Sequence, residues 1–191
     1  MSIRETNQYL AESLELIIRG CIEGDRNSQA RLYAIYSRKM MGVCMWYARN
    51  KEEAEEILQD GFLRVFKYIS TFNRTGSLDG WIRATMVSAA LSKYRNKSAK
   101  LRPVIEFDAI DHDIRQEASF IHNYDEKELL KLIQTLSPAY RLVFNLFVFE
   151  GMKHRQIAEV LNISEGTSKS NLADARSVLR KALFQKKKVA S

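Results

Sequence analysis

Apolar residues recur along this chain at spacings of three and four, the period of an α-helix with one buried face. The clearest example is EEAEEILQDGFLRVFKYI, which begins at Glu52. Its apolar positions form one stripe, made of Ile57, Leu58, Gly61, Phe62, Val65, Phe66 and Ile69. Four glutamates precede that stripe, in the first turns, where the positive end of the helix dipole favours anions. The pattern predicts a strongly specified amphipathic helix.

A second predicted helix is marked at both ends, in the segment SPAYRLVFNLFVFEG. Ser137 suits the N-cap, Pro138 suits the first helical turn, and Gly151 suits the left-handed residue that closes a helix. Similar periods extend over nearly the whole chain, and no pair of strands is evident. We therefore predict an all-α fold.

The charge pattern divides the chain into two small helical domains. A basic run from Lys93 to Arg102 is followed by an acidic stretch from Glu106 to Glu117. Low apolar content and an abrupt change of sign are typical of a linker. The predicted organisation is a first domain at 1–97, an acidic linker at 98–124 and a second domain at 125–191.

The segment QIAEVLNISEGTSKSNLADARSVLRKAL, residues 156–183, has the pattern of a helix-turn-helix. Asn162 tolerates a tight turn, Ile163 can plug it, and Ser164 can cap the second helix. The spacing of four, three and four predicts a buried side made of Ser168, Leu172, Ala175 and Leu179. The outward side is then Lys169, Ser170, Asn171, Ala173, Asp174, Arg176 and Ser177. A helix of about 16 residues spans about 24 Å and fits the major groove, although a plain helical hairpin with a solvated face is the alternative.

Composition adds limited information. The 30 Lys and Arg against 23 Asp and Glu give a net charge of +7, which favours a polyanionic partner without identifying it. Cys21 and Cys44 lack the paired spacing of a zinc or redox site, so we predict reduced thiols in the core. The three histidines are scattered, and we expect no metal and no cofactor. No signal peptide or bilayer-spanning run is evident, so we expect a cytoplasmic protein without membrane insertion.

These segments carry a resemblance to a known family. The string ISEGTSKSNLADAR, preceded by LSPAYRLVFNLFVFEGMKHRQIAEVL, resembles the fourth domain of extracytoplasmic-function (ECF) sigma factors, the small initiation factors of bacterial RNA polymerase. The strings GDRNSQARLYAIYSRKM, EEAEEILQDGFLRVFKYISTF and GSLDGWIRATMVSAALSKYRNK resemble, in that order, parts of the second sigma domain. The resemblance covers roughly Leu14 to Leu183. It implies RNA polymerase core and promoter DNA as partners, and it allows an anti-sigma factor as a third.

The resemblance also implies three sets of functional residues. The polymerase-binding set is Gln59, Asp60, Leu63 and Arg64. The set that captures a flipped base and melts the promoter is Phe72, Asn73, Arg74, Trp81, Arg83, Ser88, Lys93 and Arg95. The recognition-helix set is Thr167, Lys169, Ser170, Asn171, Ala173, Asp174 and Arg176. Two features have structural alternatives. Trp81 is more often a core residue, and the glutamates before Ile57, on the helix that carries the polymerase-binding set, could form a solvated acidic face.

The chain departs from the family at positions expected to contact DNA. Relatives commonly have a pattern like WLRRIMVNTALDYLRK where this chain has WIRATMVSAALSKYRN, so Ala84, Ser88 and Ser92 stand in place of Arg, Asn and Asp. Asp174 stands where relatives usually carry a basic residue. One explanation is that Asp174 contacts a cytosine. The other is that the factor has lost part of its affinity for DNA and depends on a separate DNA-targeting recruiter. We favour the second explanation.

Two other classes of protein fit the sequence less well. A helix-turn-helix regulator that acts without polymerase core would explain residues 156–183, but it leaves the helix from Glu52 to Phe66 without a purpose. An enzyme would have to use the carboxylates from Glu52 to Asp60, on which no His, Cys or Gly-rich loop converges. We therefore predict a protein that is not an enzyme.

Overall fold

The computed structural model describes residues 3–94 and 125–189, and every regular element within these ranges is a helix. The first helical group comprises α1 (Ile3–Ile22), α2 (Arg26–Tyr47), α3 (Lys51–Tyr68), a 3₁₀ turn (Ile69–Thr71) and α4 (Leu78–Tyr94). The second helical group comprises α5 (Glu126–Gln134), α6 (Pro138–Val148), α7 (His154–Leu161) and α8 (Glu165–Val189). The prediction of an all-α fold is confirmed. The predicted linker, 98–124, lies outside the described residues.

Side-chain caps define where α2 and α3 begin. The Asp25 carboxylate accepts a hydrogen bond from the Ser28 N–H at 2.8 Å. Asn50 accepts one from the Glu53 N–H at 2.9 Å, and Glu53 accepts one from the Arg49 N–H at 2.6 Å. The Ser28 and Glu53 N–H groups belong to first helical turns, where N–H groups have no partner within the helix.

The predicted apolar stripe of α3 forms the centre of the first group. All of its members are buried except Phe66, which is half-buried. The stripe packs between α2 and α4. Gly61 allows a close approach of α3 to α4, since a Cβ there would lie 2.2 Å from the Met86 sulfur on α4. The prediction from periodicity is confirmed, and the glycine in the stripe has a packing reason.

The predicted boundaries of α6 are also confirmed. Ser137 accepts a hydrogen bond from the Tyr140 N–H at 3.4 Å, and Pro138 is the first helical residue. Gly151 has φ +69°. This left-handed residue follows the helix and reverses the chain, so that the Met152 N–H reaches the Leu146 carbonyl at 2.9 Å.

Both cysteines belong to the core of the first group, as predicted. Cys21 and Cys44 are buried free thiols. Burial raises the pKa of Cys44 to about 12, so its thiol stays protonated and unreactive. Across 3–94 and 125–189, none of the helices has the length and hydropathy needed to cross a bilayer.

The close packing at Gly61 can be tested by adding a methyl group. Gly61→Ala is expected to lower the free energy of unfolding by about 1–3 kcal/mol, because the new Cβ would overlap the buried Met86 side chain. Gly42→Ala is the matched control, since a Cβ at this position in α2 meets nothing within 4 Å. The control should be neutral or stabilising by up to about 1 kcal/mol. Urea unfolding followed by circular dichroism measures both, and equal effects would contradict the close approach.

Candidate nucleic-acid interface

The turn between α7 and α8 has the predicted geometry. Asn162 ends α7 in the left-handed conformation, with φ 54° and ψ 50°. Ser164 caps α8 by accepting a hydrogen bond from the Thr167 N–H at 2.9 Å. Ile163, between them, is half-buried against the core. The predicted turn of the helix-turn-helix is confirmed.

The buried side of α8 is the predicted one. Ser168, Leu172, Ala175 and Leu179 are all at most 4% exposed. Ser168 is the polar member, and its hydroxyl forms a 2.9 Å hydrogen bond with His154 Nδ1. His154 in turn stacks on Phe147 of α6, with ring centroids 4.8 Å apart. The hydroxyl is therefore buried with a partner, as polar groups in a core require.

The outward side of α8 is exposed along its first turns. Thr167, Lys169, Ser170, Ala173 and Asp174 are exposed, while Asn171, Arg176 and Ser177 are half-buried. Lys169 pairs with Glu165 at 2.7 Å, and both side chains are about half exposed. Such exposed pairs contribute little to stability, so Lys169 can exchange its partner for a phosphate at small cost. The Arg176 guanidinium lies 5.6 Å from the centre of the Phe147 ring, so its side chain leans toward α6.

Asp174 has a partner inside the second group that the sequence did not reveal. Interaction with the Asp174 carboxylate, through hydrogen bonding and through its charge, raises the pKa of Tyr140. Asp174 thereby links α8 to the first turns of α6. This contact adds a structural role to the two DNA-related explanations that the sequence left open.

The loop before α4 presents some of the predicted melting residues to solvent. Asn73 and Arg74 are exposed, and Arg74 adopts φ 61° and forms an ion pair with Glu15 of α1. Phe72 and Trp81 are half-buried and pack on each other, with ring centroids 5.9 Å apart. Trp81 is thus partly a core residue and partly accessible beside the loop.

The expectation that Ala84 and Ser88 lie on a DNA-contacting surface is wrong. Ala84 is 3% exposed and Ser88 is 5% exposed, because α4 is covered by α2 and α3 on two sides. Ser92 is half-buried, and its hydroxyl donates to the Ser88 carbonyl at 2.8 Å and accepts from Arg64 at 3.0 Å. Small side chains at these positions therefore serve helix packing.

Lys93 is held by carboxylates of α3. It lies 3.5 Å from Glu53 and forms a second ion pair with Glu56. The Glu53 side chain is 3% exposed. Burial alone would raise its pKa, but hydrogen bonds from Arg49 and Tyr94 and the charge of Lys93 lower the pKa to about 2. Glu53 is therefore ionised and anchors Lys93. Arg95, the next predicted basic residue, lies outside the described residues.

Arg83 is the melting-set residue with the most unexpected partner. Its guanidinium contacts Glu150 of the second group, with Nη2 at 2.7 Å from Oε1 and Nε at 3.1 Å from Oε2. The Glu150 side chain is only 3% exposed. In the described structure Arg83 therefore bonds a protein carboxylate across the two helical groups.

The predicted polymerase-binding residues divide into two kinds. Leu63 is 69% exposed, and Gln59 is exposed beside a groove of about 380 Å³ between α2 and α3. The groove is lined by Tyr33, Ser37, Arg38, Met41, Glu55, Leu58 and Gln59. Arg64 instead bonds Asp60 at 2.7 Å and reaches α4, leaving its side chain 16% exposed. Gln59 and Leu63 therefore lie on an exposed surface, whereas the Arg64 side chain mainly connects α3 to α4.

A metal centre has no support in the side chains that the structure describes. Within 3–94 and 125–189, no cluster of three or more His, Cys, Asp or Glu residues is placed to hold a metal ion.

This chain matches two family models and is similar to several known proteins. Residues 32–100 match the family model for sigma-70 region 2, and residues 126–179 match the model for sigma-70, region 4. RNA polymerase sigma-H factor of Pseudomonas aeruginosa is 24% identical over 96% of this chain and 96% of its own length. ECF RNA polymerase sigma factor SigW of Bacillus subtilis is 25% identical over 89% of this chain and 98% of its own length. A solved structure of CnrH in complex with the cytosolic domain of CnrY is similar at a TM-score of 0.45 and 17% identity, over 89% of this chain and 96% of that chain.

The low pKa of Glu53 predicts a specific pH dependence. Its folded pKa of about 2 lies below the ordinary value of 4.5, so its contribution is complete above about pH 5 and is lost as the pH falls toward 2. Glu53→Gln is expected to lower the free energy of unfolding at neutral pH by about 1–3 kcal/mol and to flatten the acid loss of stability. Glu56→Gln is the control, since Glu56 also pairs with Lys93 but is 69% exposed. Urea unfolding measured over the acid range decides, and a Glu53→Gln profile parallel to that of the natural protein would contradict the assignment.

Proposed function

The chain belongs to the extracytoplasmic-function sigma factors of the sigma-70 family, and from this premise we propose that it binds the core of bacterial RNA polymerase and directs it to promoter DNA. As a sigma factor it is an initiation factor and not an enzyme. The main support is that two family models match in order, one on each helical group, and that the second group contains a formed helix-turn-helix. A regulator acting without polymerase core would not account for the region 2 match.

We assign polymerase binding to the exposed edge of α3. Leu63 is a large apolar side chain with little intramolecular contact, and it lies one turn from Gln59 at the groove. Exposed apolar residues beside a groove are typical of protein interaction sites. Charge reversal at Asp60 and Arg64 would be a poor probe, because Arg64 also holds α4.

The polymerase assignment predicts a local effect on complex formation. Leu63→Ser is expected to weaken binding to purified bacterial RNA polymerase core by about tenfold, because a central apolar contact is lost. Ile35→Ser is the matched control, since Ile35 is 54% exposed and does not line the groove. Fluorescence anisotropy of labelled protein titrated with core measures both. Equal affinities for the two variants would exclude this edge of α3, whereas no binding by the natural protein would overturn the proposed function.

We assign promoter contact to the exposed side of α8 and to the loop before α4. On α8 the exposed set includes Thr167, Lys169 and Ser170 near the helix start, where recognition helices usually meet base edges. At the loop, Asn73 and Arg74 are exposed next to the half-buried rings of Phe72 and Trp81. Polar groups beside an aromatic pair suit an unstacked base, which offers both a π-face and a hydrogen-bonding edge.

Dependence on a DNA-targeting recruiter stays a prediction with narrower support. The burial of Ala84 and Ser88 removes two of the positions on which it was based, and Ser92 is occupied by contacts within the first group. Asp174 remains as an exposed acid on α8. An anti-sigma partner also stays a prediction.

Asp174 can be tested with three variants of the full chain. If its charge weakens phosphate contact, Asp174→Arg should tighten binding to any duplex and steepen the slope of log affinity against log salt by about 0.9. If Asp174 contacts a cytosine, Asp174→Asn should weaken binding to the natural promoter alone, by about 1–3 kcal/mol. Tyr140→Phe removes only the link to α6 and is the control. Filter binding of holoenzyme to promoter and scrambled duplexes over a salt series separates these outcomes, and identical results for all three variants would leave Asp174 with its structural role alone.

A further inference from the structure

The loop at residues 72–77 leads into a well-anchored first turn of α4. Ser77 Oγ accepts a hydrogen bond from the Gly80 N–H at 3.0 Å, which caps the helix. Asp79, in the same turn, pairs with Lys39 of α2 at 2.7 Å. The downstream end of the loop is therefore held by two side chains, and the conformation of the loop depends on the residues before Ser77.

Arg74, in the middle of the loop, has an unusual backbone conformation. Its φ of 61° lies in the left-handed region, where the Cβ of an ordinary residue comes too close to the backbone. The other non-glycine residue with positive φ in the described ranges is Asn162, whose short polar side chain suits that region. Arginine has no such advantage. A residue in this conformation keeps it where the surrounding contacts support it.

Asn73 supports Arg74 from within the loop. Its Oδ1 accepts hydrogen bonds from the Thr75 N–H at 3.2 Å and from the Thr75 hydroxyl at 2.8 Å. Both bonds span Arg74, so the turn that they close depends on the Arg74 backbone conformation. Because Oδ1 faces these two donors, the Nδ2 end of the amide is the end that can donate to a ligand. The orientation of the Asn73 amide is thus coupled to the conformation of Arg74.

Glu15 of α1 supports Arg74 from outside the loop. Its carboxylate forms an ion pair with the Arg74 guanidinium, and both side chains are about half exposed. An ion pair this exposed contributes little to the stability of the whole protein, so its effect is local. It restricts the position of the Arg74 side chain where α1 packs against the preceding 3₁₀ turn. Glu15 lies before residues 32–100, which match sigma-70 region 2, and it belongs to none of the three predicted functional sets.

We propose that Glu15 is a positioning residue for base capture, through which α1 sets the base preference of the loop. Glu15 holds Arg74, and the Arg74 conformation maintains the turn that orients the Asn73 amide. This amide lies next in sequence to Phe72, whose half-buried ring packs on Trp81. The inference rests on the proposed function, which assigns this loop to an unstacked base. A carboxylate that only neutralised Arg74 would weaken binding to every strand alike, whereas a positioning residue changes which base is preferred.

The support of the loop by Glu15 is tested in the full chain without polymerase or DNA. Glu15→Ala removes the partner of Arg74 and retains a good helix former in α1. Relaxation of ¹⁵N nuclei should give order parameters near the roughly 0.85 of a rigid backbone for the Arg74 and Thr75 amides of the natural protein, and below about 0.6 in the variant. Glu23→Ala is the matched control, because it makes the same charge change at an exposed residue just after α1. Equal order parameters in both variants would overturn the proposal.

Base preference is measured on holoenzyme reconstituted with purified bacterial RNA polymerase core. The probes are fluorescein-labelled oligo-dA, oligo-dC and oligo-dT of about 12 nucleotides, in which every register presents the same base. Glu15→Ala is expected to lower the ratio of the strongest to the weakest affinity by about two- to fivefold, the range of an exposed ion pair. Glu23→Ala should keep the natural ratio. The lost negative charge itself cancels in the ratio, because the three probes carry equal numbers of phosphates.

Arg74→Gly shows whether Glu15 acts through Arg74. Glycine adopts the left-handed conformation without support, so adding Glu15→Ala in this background should leave the ratio unchanged. An equal reduction of the ratio in both backgrounds would overturn the positioning role. A rise in affinity for all three probes at an unchanged ratio would also overturn it, since that result indicates charge neutralisation alone.

The proposed function fails by a different result. Failure of the natural protein to bind polymerase core would overturn the proposed function, and base capture with it, while leaving the order parameters as measured. Core binding together with equal affinity of the natural holoenzyme for the three probes would overturn base capture by the loop and leave the polymerase assignment standing.

Discussion

The end of α2 is the constraint on which the arrangement of the protein depends. Upstream, α2 packs against α1, α3 and α4, and its residues from Leu32 to Tyr47 contribute to the core of the first group. At its last turn, the Met45 and Trp46 carbonyls receive donors from α5 and α6. One helix therefore contributes to both halves of the fold. The hydrogen bonds to the last turn of α2 therefore help to set the orientation of the helix-turn-helix relative to the first group.

Buried charged side chains have more hydrogen-bond partners within the first group than at the contact between the groups. Glu53, inside the first group, is surrounded by donors from Arg49, Tyr94 and Lys93. Arg141, at the contact between groups, is equally inaccessible but keeps two nitrogens without partners. Full satisfaction of Glu53 fits a site that stays folded, since a satisfied polar network makes a structure rigid.

Features that depend on residues a few positions apart could be predicted from the sequence. The stripe of α3, the ends of α6, the turn at Asn162 and the buried side of α8 all follow from spacing and capping chemistry. Contacts across long separations could not be predicted in this way. Arg83 and Glu150 are 67 residues apart. The link between Tyr140 and Asp174 likewise joins two helices that no local pattern brings together.

The burial of Ala84 and Ser88 was missed for a different reason. Small residues fit an exposed helix face and a tightly packed one equally well, so composition does not separate the two cases. The neighbours decide, and here α2 and α3 cover α4 on two sides. The close approach of Gly61 to Met86 was a local sign of such packing, but it indicates contact only when the facing helix is known.

The mixture of backbone and side-chain acceptors at the end of α2 has a consequence for how homologous sequences diverge. Carbonyl oxygens are present whatever amino acid stands at positions 45 and 46, so substitution there preserves the acceptors for Gln134 and Asn145. Tyr47, Arg83 and Glu150 meet through their side chains, and loss of any one leaves the others incompletely bonded. Lineages that keep this arrangement should therefore retain both carbonyl acceptors through substitutions at positions 45 and 46, and should exchange Tyr47, Arg83 and Glu150 together.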